Sequence, residues 1–256
     1  MKPTLADIEA LARQAGEILK AGFGSPLRVE YKGVIDPVTE MDHRSEDFII
    51  GEIRRRFPGH AVVTEESGNL SGDEAQRWFI DPLDGTVNYA HGLPLFAVSI
   101  AYAENGQLQL GVVHEPIRGE CYSAQRGNGA WLNGQAIHVS DTPELNTSLV
   151  VTGFPYDIRT NPQNNLDNYV RFSLVTQAVR RLGSAALDLA YVAAGRMDGF
   201  WEIRLKSWDV AAGALIVQEA GGVVTDIHGA PDFLAEPQSI LAANPALHPQ
   251  MVKLLG

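Results

Sequence analysis

The chain has 256 residues, 45% hydrophobic and 20% charged, enough for one large domain or two modest ones burying roughly three quarters of the unfolded surface. Its formal net charge of -11, from 31 acids against 20 bases, argues against a nucleic-acid partner, because phosphate backbones are held by Lys and Arg clusters. Cys121 alone cannot form an intrachain disulfide, no run reaches the ~18 apolar residues of a membrane span, and "MKPTLADIEALARQAGEILKAGF" lacks a signal peptide's apolar block, so a soluble cytoplasmic protein is expected.

In chain order, Leu5, Ile8, Leu11, Ala15 and Ile18 follow helical spacing and predict an amphipathic helix over 4–22. "DHRSEDFIIGEIRRRFPG" predicts a second helix, capped by Asp42 and stopped before Pro58. "HAVVTEES" and "RWFID" read as short strands ending in acids. "LFAVSIAYAENGQLQLGVVHEP" reads as a hairpin turning at Asn105-Gly106. In the strands and turns of "GECYSAQRGNGAWLNGQAIHVS", Gly127-x-Gly129 is turn chemistry, since a dinucleotide loop needs a third Gly. From about residue 142, strands and helices alternate: "SLVVTGF", "NNLDNYVRFSLVTQ", "AVRRL", "GSAALDLAYVAAG", "GFWEI", "WDVAAGALIVQEAG", "GVVTDI", "SILAA" and a closing helix. Strand-rich segments followed by this alternation imply layers of sheet and helix.

The stretch "RWFIDPLDGTVNY" puts Asp81 and Asp84 three apart at the end of an apolar run. Asp81 is expected to end the strand and cap a helix, with Pro82 at the first helical position. One helical turn would then bring the two carboxylates to one side, where they can share a cation. Gly85 and Thr86 would leave free N–H groups at a helix start, a ready anion site. Asp-Pro and Asp-Gly are equally ordinary turn residues. Asp42 and Asp209 are read as N-caps, and Glu65 and Glu66 as a strand end. All these acids fall where elements start or stop, where a layered fold places its site.

A carboxylate set without His or Cys selects hard cations: magnesium first, then manganese or calcium. The seven histidines include no pair at metal-ligand spacing, so zinc is not expected. Divalent ions would also explain how so acidic a chain accepts an anionic substrate.

Taken together, "DPVTEMD", "TEES", "WFIDPLDGTVNY" and "WDVAAGALIVQEAGG" resemble, in order and spacing, the inositol monophosphatase family of magnesium-dependent, lithium-sensitive phosphatases. "RRLGSAALDLAYVAAGRMDGFWEI" is especially similar to its bacterial branch. The resemblance implies one αβαβα sandwich over 1–256, with subdomains of about 1–141 and 142–256, paired as a homodimer. It implies two or three magnesium ions, manganese as a substitute, and inhibition by lithium and calcium. Glu65, Asp81 and the Leu83 carbonyl would hold the first ion; Asp81, Asp84 and Asp209 the second; Glu65 a third. Asp42 and Thr86 would orient the attacking water, with the backbone of Gly85 and Thr86 on the phosphate. Glu202 would accept hydrogen bonds from ring hydroxyls beside Gly183, Ser184 and Ala185.

The implied activity is hydrolysis of myo-inositol-1-phosphate or a related polyol monophosphate. Histidinol phosphate and fructose bisphosphate are the alternatives, and a non-catalytic regulatory protein on the same scaffold is a remoter one. A haloacid-dehalogenase-type phosphatase fits less well, because its D-x-D-G-T is one residue shorter than "DPLDGT". Thr64 departs from the Gly common in the family, and the spacing of "YKGVIDP" leaves the role of Lys32 open. Trp78, Trp201 and Trp208 are expected in the core beside the site. Arg180 and Arg181 are expected at the substrate, a partner subunit or an ion pair, and Gly221-Gly222 as a helix stop.

Overall fold

Along each strand, successive side chains enter different cores, and that alternation builds the layers. The computed structural model describes every residue except Met1, Leu27 and Pro237. The chain begins α1 (Leu5–Gly22), β1 (Val29–Tyr31), β2 (Pro37–Thr39), α2 (Glu40–Arg56), β3 (His60–Thr64), β4 (Gly68–Leu70) and β5 (Asp73–Asp84). A short helix, α3 (Thr86–Ala90), precedes β6 (Ala97–Glu104), β7 (Gln107–Glu115), β8 (Glu120–Gln125), β9 (Gly129–Leu132) and β10 (Gln135–Ala136). Then come β11 (Leu149–Thr152), α4 (Leu166–Ser173), β12 (Ala178–Arg180), α5 (Ala185–Ala193) and β13 (Gly199–Ile203). The last elements are α6 (Ser207–Glu219), β14 (Val223–Thr225), β15 (Ser239–Ala243) and α7 (His248–Leu255).

An eight-stranded sheet has the order β10-β9-β8-β7-β6-β5-β3-β4, and a five-stranded sheet the order β12-β11-β13-β15-β14. On β5, Trp78 and Ile80 join α1 and α2 residues such as Ile8, Leu19 and Ile53 in one core. Phe79 between them faces the opposite side, toward α5 and α6. The smaller sheet repeats the division: Val151, Phe200 and Ala242 face α5 and α6, while Val150, Trp201 and Leu241 face Phe172 of α4 and Met251 of α7. The layers are therefore helix, sheet, helix, sheet, helix, the expected αβαβα sandwich.

The middle helices are pressed between two sheets, which accounts for the Ala-rich run of α6 and its burial from Val210 to Val217. A Cβ at Gly111 of β7 would lie 2.8 Å from the Ala212 carbonyl oxygen of α6, so only glycine permits that approach. Gly111→Ala is expected to destabilise the fold by about 1–3 kcal/mol, because a backbone atom must give way. Urea melts check this, and an unchanged midpoint would mean that α6 rides more loosely on the sheet.

Asn105 and Gly106 have φ of 52° and 78°, the left-handed pair of the predicted hairpin turn. Gly221 and Gly222 end α6 as expected: their N–H groups donate to the carbonyls of Gln218 and Val217. Gly127 and Gly129 form a turn whose N–H groups both hold the Glu219 carboxylate, at 2.9 and 3.0 Å.

Four expectations need correction. Helix α2 starts at Glu40 with Thr39 as cap; Asp42 is its third residue, accepting the Thr39 N–H at 2.8 Å. Helix α6 starts at Ser207, and Asp209 is again third, accepting the Lys206 N–H at 2.7 Å. Asp81 caps no helix and Pro82 opens none: β5 continues to Asp84, and Gly85, at φ 95°, is the residue before α3. Trp78 and Trp201 are fully buried, whereas Trp208 is only half-buried.

Candidate active site

Against β6, Asp81 is opposite Ser99 and Asp84 opposite Ala97, three steps on one strand for two on the other. Residues three apart on a regular strand face opposite sides, and one extra residue restores the parity. The bulge thus brings Asp81 and Asp84 to one recess without a helical turn, and it tolerates Pro82 inside a sheet. Asp81 turns back to accept the Leu83 N–H at 3.0 Å. Oδ2 of Asp84 accepts the Ser184 hydroxyl at 2.6 Å and the Ala186 N–H at 2.7 Å, at the N-terminus of α5.

The recess, of about 100 Å³, is lined by Glu65, Asp81, Leu83, Asp84, Gly85, Thr86, Gly183, Ser184, Ala185, Glu202 and Asp209. Of the residues assigned to catalysis, metal or substrate from the family resemblance, all are therefore brought to it except Asp42, which stands behind Thr86. The Thr86 hydroxyl lies 2.9 Å from Asp42 Oδ1 and 3.0 Å from the Leu83 carbonyl. Asp42 Oδ2 is taken by the N–H and hydroxyl of Thr39. A second recess of about 250 Å³, sharing Glu65, Glu202 and Asp209, extends toward Lys32, Tyr156 and Trp208. Cavities of about 610 and 620 Å³ lie elsewhere and contain none of the clustered acids Glu65, Asp81, Asp84 and Asp209.

The acids raise one another's proton affinity. Burial, then the charges of Glu65, Asp84 and Asp209, lift Asp81 well above the usual carboxylate range. Asp209 is lifted by burial, then by Glu65 and Asp84. Burial pushes Asp84 up to about 6, with the Ser184 hydroxyl and the Ala186 N–H holding it back. Burial pushes Glu65 up to about 7 against the opposing charge of Lys32. Glu202 reaches about 8, through burial and the Asp84 charge.

Lys32, in the loop between β1 and β2, places its ammonium 3.0 Å from Glu65 and 2.5 Å from Glu66. Burial disfavours this ammonium, but the two carboxylates more than offset it and raise its pKa. Among the described residues, no three His, Cys, Asp or Glu side chains close around one point as a formed cage. The donor set nonetheless fits hard divalent ions: it is all carboxylate, Asp81 is buried and Glu65, Asp84 and Asp209 are half-buried around it, and the members penalise one another's charge.

Two acids escaped the sequence reading, and of the two arginines it flagged only one reaches the site. Glu46, buried in α2, accepts the Thr64 hydroxyl at 2.6 Å and the N–H groups of Glu66 and Ser67, and so fixes the turn carrying Glu65. Thr64, the departure from the family's Gly, is thus a partner of Glu46. Asp188 on α5 is a buried acid lining the recess. Arg181 reaches the rim, whereas Arg180 is exposed and away from it. Polar residues recurring on the apolar face of a helix, as Ser45 and Glu46 do, are the one signal that could have pointed to such groups.

The sequence profile of the inositol monophosphatase family matches residues 1–256. The chain is 47% identical over 253 residues to a protein of Pseudomonas aeruginosa named Nus factor SuhB, covering 95% of this chain and 92% of that one. It is 43% identical over 245 residues to inositol-1-monophosphatase of Mesorhizobium japonicum, covering 94% and 92%. The solved structure of inositol monophosphatase from Anabaena (Nostoc) superposes with a TM-score of 0.89 at 43% identity, over 98% of this chain and 94% of that one.

Proposed function

We propose, from the premise that this chain belongs to the inositol monophosphatase family, that it is a divalent-cation-dependent phosphomonoesterase acting on myo-inositol-1-phosphate and related polyol monophosphates. The observation that supports this best is the convergence of Glu65, Asp81, Asp84 and Asp209, from three separate segments, on one recess beside the Asp42–Thr86 pair.

Glu65, Asp81, the Leu83 carbonyl, Asp84 and Asp209 are the groups that would hold magnesium. A hard ion held there supplies Lewis acidity, screening the phosphate's charge and making water a better nucleophile near neutral pH. The chain's own contribution is placement. Asp42 fixes the Thr86 hydroxyl, whose oxygen can accept a hydrogen bond from the attacking water. The N–H groups of Gly85 and Thr86 face the phosphate, and Glu202 meets the leaving group's hydroxyls. Water is the nucleophile, so solvent oxygen enters phosphate directly and no aspartyl-phosphate forms on Asp81.

Glu202 sits directly over the Cα of Gly153, where an added Cβ would overlap its carboxyl. Gly153→Ala is therefore expected to lower kcat/KM by roughly 10–10²-fold, the effect of displacing a positioning group by about an ångström. An unchanged kcat/KM would show that Glu202 can step aside without loss.

The Nus factor relative motivates a second reading, a regulatory role on the same scaffold. Leu166, Val170, Leu174 and Val175 form an exposed apolar face at α4 that such an assembly could cover. Phosphate release from inositol-1-phosphate, histidinol phosphate, fructose bisphosphate and phosphoadenosine phosphate, with magnesium, tests the enzymatic reading. Fast release from the inositol ester supports it, and no release from any ester favours the regulatory one.

A further inference from the structure

Asp188 lies in the first turns of α5, four residues after the cap Ser184, and is 1% exposed. It lines the same recess as Glu202. Its Oδ1 is fully buried without a hydrogen-bond partner. Among the described residues, no hydrogen bond or ion pair reaches the carboxyl of Asp188 or of Glu202, Arg181 included. Burial and then the Glu202 charge raise the Asp188 carboxyl well above its usual range.

A buried carboxyl with no donor is costly, and two in one pocket more so. Oδ1 of Asp188 is sealed in, whereas its other oxygen and those of Glu202 keep access to the recess, where solvent or a bound molecule can pair with them. Phosphate oxygens only accept, whereas a hydroxyl both donates and accepts and so can pair with these carboxyls in either protonation state. A hard cation is already offered the better-placed set of Glu65, Asp81, Asp84 and Asp209. What remains is the other half of the ester, provided it carries O–H donors. We propose that Asp188 is a specificity-determining residue which, with Glu202, selects monophosphates whose leaving group bears several hydroxyls.

This rests on the phosphomonoesterase reading above and deepens it. A pocket built to accept hydroxyl donors rejects an analogue lacking them, because its acids are then left unpaired. Cyclohexyl phosphate is the matched probe, with the same ring size as inositol and no hydroxyls. The wild-type chain with magnesium is expected to favour inositol-1-phosphate over cyclohexyl phosphate by at least ~10²-fold in kcat/KM. Asp188→Leu is expected to lower kcat/KM for inositol-1-phosphate at least ~10-fold, chiefly through KM, and to change cyclohexyl phosphate by less than ~3-fold. Competitive inhibition by inorganic phosphate should not change. Asp188→Asn, which keeps an acceptor oxygen, should retain much of the selectivity.

An equal fall on both esters would overturn the proposal, since a merely structural role acts on both alike. Unaltered selectivity in Asp188→Leu would overturn it too. Should the leucine variant fail to fold, the wild-type ratio and Asp188→Asn carry the test. A wild-type chain that hydrolyses both esters equally sinks the selectivity inference and leaves the phosphatase reading standing; one that hydrolyses neither sinks both.

Discussion

Asp84→Asn and Asp209→Asn are each expected to lower turnover at least ~10²-fold at saturating magnesium, the scale of losing one preorganised electrostatic contact to the transition state. The argument is local. Oδ2 of Asp84 accepts the Ser184 hydroxyl and the Ala186 N–H, and an amide oxygen can still accept both, though more weakly than a carboxylate. The other arm then becomes an NH2 group turned toward the carboxylate cluster, which repels a cation. In Asp209→Asn the amide oxygen likewise keeps the bond to the Lys206 N–H, so α6 retains its start. Activity and stability should therefore separate. Turnover falls, while the cation-free Tm stays level or rises, because one of the mutually repelling charges is gone. Near-normal turnover in both variants would contradict the shared-cation reading.

Removing divalent ions is expected to abolish activity, since phosphate would then meet uncompensated carboxylates. The same repulsion dictates how the cation-free protein responds to pH. Glu65, Asp84 and Glu202 titrate at about 7, 6 and 8 in the folded chain, against ordinary values of 4.5, 3.8 and 4.5. Between about pH 4 and pH 8 the folded state thus binds more protons than the unfolded one, and stability contributed by these groups falls as pH rises. Metal binding displaces those protons and stabilises only the folded state. Magnesium should raise Tm more at pH 8 than at pH 5. Calorimetry at the two pH values, with and without the ion, checks this. Equal increments, or full turnover in chelator after verified metal removal, would be incompatible with it.

The site was more legible in the sequence than the geometry that builds it. Eleven of the twelve proposed site residues line one recess, and the twelfth, Asp42, touches one of them, Thr86. Residue types at element ends pointed to the acids and to Gly85-Thr86, whereas Leu83, Gly183, Ser184, Ala185 and Glu202 came only through the family resemblance. How Asp81 and Asp84 come together was misread, because a helical turn and a one-residue bulge bring residues three apart to the same side equally well. Which one forms depends on pairing with β6, a contact remote in sequence. The helix starts were missed by two or three residues for a related reason. Asp42 and Asp209 accept the N–H of the capping residue from the third helical position, and an acid at either place leaves the same local trace. Glu46 and Asp188 left only a faint trace, since an acid in a helical run is ordinarily solvated and the packing is what shows both to be buried. Trp208 failed the opposite way: its side chain stops at the cavity rim instead of entering the core.

Soaking or co-crystallising the protein with manganese and locating the ion by its anomalous scattering bears most directly on whether these separated acids share cations. Manganese within oxygen-ligand distance of Asp81 together with Glu65, Asp84 or Asp209, with the Lys32 ammonium released from Glu65, is the expected result. Manganese bound elsewhere at saturating concentration, with those four carboxylates unligated and Lys32 still on Glu65, would contradict it.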